Sequence, residues 1–265
     1  MENGSGRSLA VVTGASSGIG LELAREFGER GHDLVVVADD HEVTRLVSEL
    51  PDVQVTVVQA DLATEEGNAR LQEVLDTLGR PLDVAAVNAG VGTHGRFDEI
   101  PLEDDVRLVR LNVESTVRVT KAAVRPMVAA GRGHVLITSS IAATAPGPYH
   151  ATYAASKAFG LSFAEALRYE LADSGVGVTA LMPGPTDTEF FDRAQMQDTR
   201  IGTMDSKDDP REVARDGLDA LFAGKDKVVA GSRRNKVQAG SGRVLPDQAK
   251  AAAQARLTEP GSGKD

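Results

Sequence analysis

Seven short apolar runs punctuate the chain: LAVVT (9–13), LVVVA (34–38), VQVTVV (53–58), LDVAAVN (82–88), GHVLITS (133–139), VGVTALM (176–182) and KVVAG (227–231). Most are apolar at consecutive positions instead of alternating, the pattern of strands buried on both faces. Between them, apolar residues recur at helical spacing in segments that start near Ile19, His41, Thr64, Pro101, Ala151 and Pro210. Strand–helix alternation predicts a parallel sheet covered by helices on both sides. With right-handed crossovers this is a single doubly wound, Rossmann-like α/β domain over 9–231, with seven mainly parallel strands. Residues 1–8 read as a flexible N-terminus and 232–265 as a C-terminal extension. In such a sheet, ligands bind beyond the carboxyl ends of the strands.

Composition narrows the chemistry. The 265 residues suffice for one large α/β core. There is no Cys, and the five His are scattered without ligand spacing, so no metal is expected. A net charge of -10 argues against a nucleic-acid surface. The leading MENGSGRS has no apolar signal core, and no run is long enough to cross a bilayer, so no membrane contact is expected and the cytoplasm is the expected compartment. Charge is uneven: residues 232–265 carry seven Lys or Arg against three Asp or Glu. That basic extension reads either as a loose appendage or as a cover for the substrate cleft or a subunit contact.

The stretch TGASSGIG (13–20) follows the first strand and opens the first helix. Glycines permit positive φ and close backbone approach. A helix N-terminus offers unpaired N–H groups and a positive dipole end. Together they make a pyrophosphate cradle. The spacing, Gly14-x3-Gly18-x-Gly20, departs from the generic dinucleotide fingerprint. Tyr153 and Lys157 are four apart in a helical pattern and share a face. Ser140 lies at the carboxyl end of the fifth strand, so the three can converge on one cleft. A phenol of pKa ~10 is a poor base near neutrality, and a neighbouring ammonium is expected to lower that value, as proton transfer requires.

The glycine spacing resembles the cofactor motif of the short-chain dehydrogenase/reductase family. Further motifs match that family in order over residues 9 to about 231. VNAG (87–90) is similar to its N-N-A-G, with Val87 in the first place. LNV (111–113), SS (139–140) followed by YAASK (153–157), and PGPTDT (183–188) resemble its Asn, its Ser…Tyr-x-x-x-Lys and its P-G-x-x-x-T. The resemblance implies an NAD(P)-dependent oxidoreductase that interconverts an alcohol and a carbonyl. In it, Tyr153 is the general acid/base and Lys157 tunes Tyr153 and binds the nicotinamide ribose. Ser140 bonds the substrate oxygen, and Asn112 supports a proton relay or ties helix to strand.

The cofactor contacts implied are Gly14, Ser16, Ser17, Gly18, Ile19 and Gly20 at the phosphates, and Asp61 and Leu62 at the adenine. Asn88, Ala89 and Gly90 line the middle, and Pro183, Gly184, Thr186 and Thr188 hold the carboxamide. Asp39, just past the second strand, points to NAD over NADP, because a carboxylate there bonds the ribose hydroxyls and repels a 2′-phosphate; the other reading makes Asp39 and Asp40 helix caps. Asp61 has the same alternative. His94, Tyr149 and His150 flank the cleft in sequence. A lone loop His is usually solvated, though Tyr149 and His150 can touch substrate. Residues 189–210 lie where the family carries a substrate lid, and mix Phe190, Phe191, Met196, Ile201 and Met204 with charges. The substrate expected is small or medium-sized and partly apolar, and a homodimer or homotetramer is implied. Two rivals are a nucleotide-binding regulator without chemistry and a nucleotide-sugar epimerase.

Overall fold

A computed structural model describes residues 6–232, Asn235 and residues 246–264. Its seven strands are β1 (Leu9–Thr13), β2 (Asp33–Ala38), β3 (Val55–Gln59), β4 (Val84–Val87), β5 (Gly133–Thr138), β6 (Val176–Met182) and β7 (Lys227–Val229). They form one sheet in the order β3-β2-β1-β4-β5-β6-β7. Every neighbouring pair is parallel, so the sheet is wholly rather than mainly parallel. β1, β2 and β4 are buried at every residue, which is why they read as unbroken apolar runs. Edge strand β3 is half-buried at its start and begins two residues later than its apolar run. β4 and β7 are likewise shorter than theirs.

Nine α-helices are described: α1 (Gly18–Glu29), α2 (Leu46–Glu49), α3 (Glu65–Leu78), α4 (Leu102–Val109), α5 (Thr116–Ala130), α6 (Ala151–Glu170), α7 (Phe190–Arg193), α8 (Pro210–Phe222) and α9 (Asp247–Thr258). One face of the sheet packs Leu71 of α3, Val119 and Met127 of α5 and Ala164 of α6. The other packs Leu23 and Phe27 of α1 with Val213 and Leu218 of α8. Buried Glu26 of α1 also accepts from Arg211 (3.0 Å) and Arg215 (2.8 Å) of α8.

Two helical expectations change. The segment from His41 is a 3₁₀ turn, His41–Arg45, and then the four-residue α2. Pro51 disfavours helical backbone at Leu50 and stops the helix there. The segment from Pro101 is interrupted by a π-helical stretch, Arg110–Ser115, between α4 and α5. It carries Asn112, and such bulges recur at functional sites.

Strand order reverses between β1 and β4. The crevice outside their carboxyl ends is the place for a ligand. Of the leading residues, Arg7 donates to the Asp52 carbonyl (2.5 Å). Residues 1–5 of the expected flexible N-terminus, and 233, 234, 236–245 and 265 of the basic extension, lie outside the described residues. Among the described residues no helix is long and apolar enough to cross a membrane, and no His, Asp and Glu cluster to hold a metal ion.

Candidate active site

β1 ends at Thr13, whose hydroxyl accepts from the backbone N–H of Asn88 (2.9 Å) and Ala89 (3.0 Å). The Thr13 carbonyl accepts from Asn88 Nδ2 (3.1 Å). The loops after β1 and β4 are thereby joined across the switch point. Gly14, at φ +67°, lies so close that a Cβ there would be 2.9 Å from Ala89 Cα. A Cβ on Gly20 would lie 1.9 Å from the Gly14 carbonyl oxygen. Glycine at both places lets α1 start directly under the strand end. Ser17, at the N-cap, has extended backbone and makes no side-chain cap, so the first-turn N–H groups keep their donor capacity.

This cradle opens on a cavity of about 250 Å³. Gly14, Ser16, Ser17, Gly18, Ile19 and Gly20 line one wall. Asp39, Asp61 and Leu62 follow from the ends of β2 and β3, and Asn88, Ala89 and Gly90 from the end of β4. Ser140, Tyr153, Lys157, Pro183, Gly184, Thr186 and Thr188 line the far end. Positive dipole end, glycine clearance and carboxylates past β2 and β3 fit a dinucleotide, with phosphates on the cradle and adenosine toward Asp39 and Asp61.

Asn112 is the one residue of the implied set that does not line the cavity. Its side chain is fully used. Oδ1 accepts from Val91 N (2.9 Å), and Nδ2 donates to the Val91 carbonyl (2.9 Å) and to Ser156 Oγ (3.0 Å). It clamps the loop after β4 to α6. Val87 sits in the core at the end of β4, where an apolar side chain fits.

The caps are sorted by geometry. Asp40 accepts from Glu42 N (2.9 Å) and caps the 3₁₀ turn, while Thr64 caps α3 through Gly67 N (3.0 Å). Asp39 is therefore free of capping. Asp61 closes its own turn by accepting from Ala63 N (2.9 Å). Arg107 of α4, which no sequence signal singled out, donates to Asp61 Oδ2 (2.7 Å) and lies 3.5 Å from Asp39 Oδ2. Burial works against Asp61 ionising. The bonds from Arg107 and Ala63 outweigh it and hold the carboxyl below the usual range.

At the reaction end, the two adjacent serines separate. Ser139 also borders the cavity, but it is buried and its hydroxyl donates to the Lys157 carbonyl (2.7 Å), a structural tie. Ser140 lines the cavity, accepts from Ala142 N (3.1 Å), donates to the Pro183 carbonyl (3.4 Å), and favours ionisation of Tyr153. Lys157 is buried, donates to the Thr138 carbonyl (3.1 Å), and lies 5.7 Å from the Tyr153 ring centroid.

The expected lowering of the phenol is absent. Enclosure pushes Tyr153 up to about 12, against the Ser140 hydroxyl, which lowers it. Burial brings Lys157 down to about 8. Desolvation dominates both shifts. Tyr153 is a neutral phenol at neutral pH, the proton-donating form.

The lid segment is α7 and a run of turns. Phe191, Ala194 and Met196 form a small apolar cluster with Phe190 and Ile201. The Phe190 ring lies 5.1 Å from that of Tyr153, centroid to centroid. α9 docks onto this lid: Ile201 N donates to the Leu257 carbonyl (3.1 Å) and Gly261 N to Asp198 Oδ2 (2.8 Å). Its Gln254 lines the cavity. His94 does not line it and is not simply solvated. Its Nε2 donates to the Thr258 carbonyl (2.6 Å). His150 does line it, whereas Tyr149 does not.

A nucleotide cradle at one end and proton-handling side chains at the other define a class: dinucleotide-dependent oxidoreductases of alcohol and carbonyl groups. Residues 8–199 match the family described as short chain dehydrogenase, and the chain belongs to that family. It is an NAD(P)-dependent oxidoreductase that moves a hydride between nicotinamide and an alcohol or carbonyl. It is 40% identical over 186 residues to the 1-deoxy-11-beta-hydroxypentalenate dehydrogenase of Streptomyces exfoliatus, a match covering 68% of this chain and 67% of that one. A short-chain dehydrogenase from Sphingobium yanoikuyae, solved with NADPH, aligns with a TM-score of 0.78 at 30% identity, over 89% of this chain and 94% of its own. The bulky-bulky ketone specific alcohol dehydrogenase of Comamonas testosteroni aligns with a TM-score of 0.73 at 28% identity, over 90% and 95%.

Proposed function

We propose that the chain reduces and oxidises a bulky, largely apolar ketone/alcohol pair, with Tyr153 as the proton-transfer group. The observation that carries this reading is the convergence of Ser140, Tyr153 and Lys157 on the cavity whose other end is the glycine cradle. The nicotinamide, when bound, supplies or accepts the hydride. In reduction, the neutral Tyr153 phenol protonates the oxygen of the forming alcohol, and Ser140 holds that oxygen by a hydrogen bond. In oxidation Tyr153 takes the proton back, which requires its phenolate. Lys157 binds the ribose hydroxyls and favours that phenolate while it carries charge. Asn112 is a positioning residue that holds the loop at Val91. Val91, Ile141, Phe190, Phe191, Met196 and Ile201 give the chamber apolar walls, which supports a substrate with a bulky apolar body. The Comamonas testosteroni alcohol dehydrogenase, by its printed name, is specific for bulky-bulky ketones, which supports the same reading.

The cofactor of this reading is NAD. Asp39 lines the cavity directly after β2, where a carboxylate repels a 2′-phosphate. The neighbouring guanidinium of Arg107 is engaged by Asp61 and Asp39, and that of Arg45 by the Ser16 carbonyl (2.8 Å). Wild-type kcat/KM is expected to favour NAD. Asp39→Arg is expected to move preference toward NADP through bidentate phosphate pairing and loss of the opposing charge. Steady-state kinetics with both cofactors test this. A wild type that favours NADP tenfold, about 1.4 kcal/mol, overturns it.

The functional unit of this reading is a homo-oligomer in the cytoplasm. Phe97 (71% exposed), Leu102 (72%) and Val109 (44%) leave apolar surface on and beside α4, the region expected to pair copies together with α5 and α6. Light scattering on the purified protein is expected to give a dimer or tetramer; a monomer at micromolar concentration overturns that part.

A further inference from the structure

The most unusual group in the chamber is His150. It is 4% exposed, yet it lines the cavity. Neither of its ring nitrogens has a hydrogen-bond partner. His32 and His134 each have one buried nitrogen without a partner, Nδ1, and neither lines the cavity. In either tautomer a neutral imidazole carries one donor and one acceptor. Leaving both unmet in a buried place is costly, and such groups call for an explanation.

The ring is held where it is. Its centroid lies 6.0 Å from that of Tyr153, nearly perpendicular. A Cβ on Gly147 would come within 2.5 Å of its Cδ2 and Nε2. The preceding residue, Tyr149, adopts φ +62°, and its carbonyl accepts from Gly95 N (2.8 Å). The C-terminal helix fixes the same loop. Fully buried Thr258 donates to the Pro148 carbonyl (2.9 Å) and sits one helical turn after Gln254, whose carbonyl the same hydroxyl meets (2.9 Å). Gln254 lines the chamber too, and its side-chain amide makes no hydrogen bond among the described residues. One knot of contacts thus sets two neutral polar side chains without partners beside the chamber's apolar walls.

We propose that His150 and Gln254 form a polar subsite that reads a second, uncharged hydrogen-bonding group of the substrate, a hydroxyl or carbonyl remote from the reacting carbon. The substrate class is then a bulky apolar ketone or alcohol with one further neutral oxygen function. A carboxylate is disfavoured. Burial and the nearby His94 hold the His150 imidazole down to about 4, so it is uncharged at neutral pH. The chamber's Arg193 is paired with Glu189 (2.7 Å), and Lys157 belongs to the reacting end. The hydroxyl or carbonyl gives the imidazole the partner it lacks. A site built to bond such a group rejects the analogue without it.

The inference rests on the bulky-ketone reading above, and the experiment separates the two. The probes are 1-decalone, a set of its derivatives hydroxylated at each remote ring carbon, and a carboxylated derivative. With saturating NADH, at least one hydroxydecalone is expected to exceed decalone in kcat/KM by about tenfold or more. The carboxylated compound is expected to gain nothing. His150→Leu is expected to collapse that ratio toward one, Gln254→Leu to reduce it, and His150→Asn to retain part of it. Calorimetric affinities of the same compounds for the enzyme loaded with NADH are expected to follow the same ranking. Turnover of decalone with no preference for any hydroxylated isomer, a preference that survives His150→Leu, or a preferred carboxylate overturns the subsite alone. If no bulky ketone is turned over, the bulky-ketone reading fails, and calorimetry still decides the subsite. Equal affinities, or no binding, overturn it.

Discussion

Replacing Tyr153 by Phe is expected to lower kcat by about 10²–10⁴-fold, the usual contribution of a positioned acid or base. The substitution keeps the ring and its neighbours, Phe190 at 5.1 Å and His150 at 6.0 Å between centroids. It removes the hydroxyl whose ionisation Ser140 favours. No other titratable group replaces it at the reacting end: Ser140 does not ionise at working pH, and Lys157 is turned to the Thr138 carbonyl. Cofactor affinity is expected to stay within about threefold, since the phosphate cradle and the carboxylates at the adenosine end are untouched. The wild-type phenol, pushed up to about 12, also sets a pH dependence. Reduction uses the protonated form and should be flat through neutrality, whereas oxidation uses the phenolate and should rise with pH. Turnover and equilibrium binding on one preparation check both halves. A variant that keeps more than about a tenth of the rate removes Tyr153 from the acid–base role.

Lys157→Met is expected to weaken cofactor binding by about tenfold to a hundredfold, the range for losing a hydrogen bond from a charged donor. Oxidation should suffer further. The ammonium stands 5.7 Å from the Tyr153 ring centroid, and its charge favours the phenolate. Removing it leaves only Ser140 to oppose burial, so the rising limb of oxidation is expected to move to higher pH. Burial itself holds Lys157 to about 8, so its assistance fades as pH passes that value, and the two limbs should converge at alkaline pH. A pH–rate profile of the residual activity, with cofactor affinity measured at each pH, tests this. An unshifted limb separates Lys157 from Tyr153 and leaves it a binding role only.

The strands were legible because a strand buried on both faces must be apolar at every position, as β1, β2 and β4 are. Their ends were less so. The start of β3 is apolar and yet partly open at the sheet edge. Helix interruptions were not legible: the π-helical stretch at Arg110–Ser115 follows from how Asn112 ties into Val91 and Ser156, partners 21 and 44 residues away. Of the serines at 139 and 140, Ser139 is spent on the Lys157 carbonyl, a tie between residues 18 apart that no local pattern shows.

By itself, the sequence determined the doubly wound sheet, the family, and the residues that meet at the carboxyl edge. Each depends on local rules: apolar period, glycine spacing, and a helical turn between Tyr153 and Lys157. Only the tertiary structure decided what those groups experience. The direction of the Tyr153 shift depends on how far burial outweighs a charge nearby. Arg107 joins Asp39 and Asp61, the latter 46 residues earlier, only once α4 has packed. His150 and Gln254 enter one chamber because Thr258 locks the C-terminal helix to Pro148, 110 residues earlier. Such long-range encounters leave no local signature in the chain, since they are fixed only when the whole core has packed.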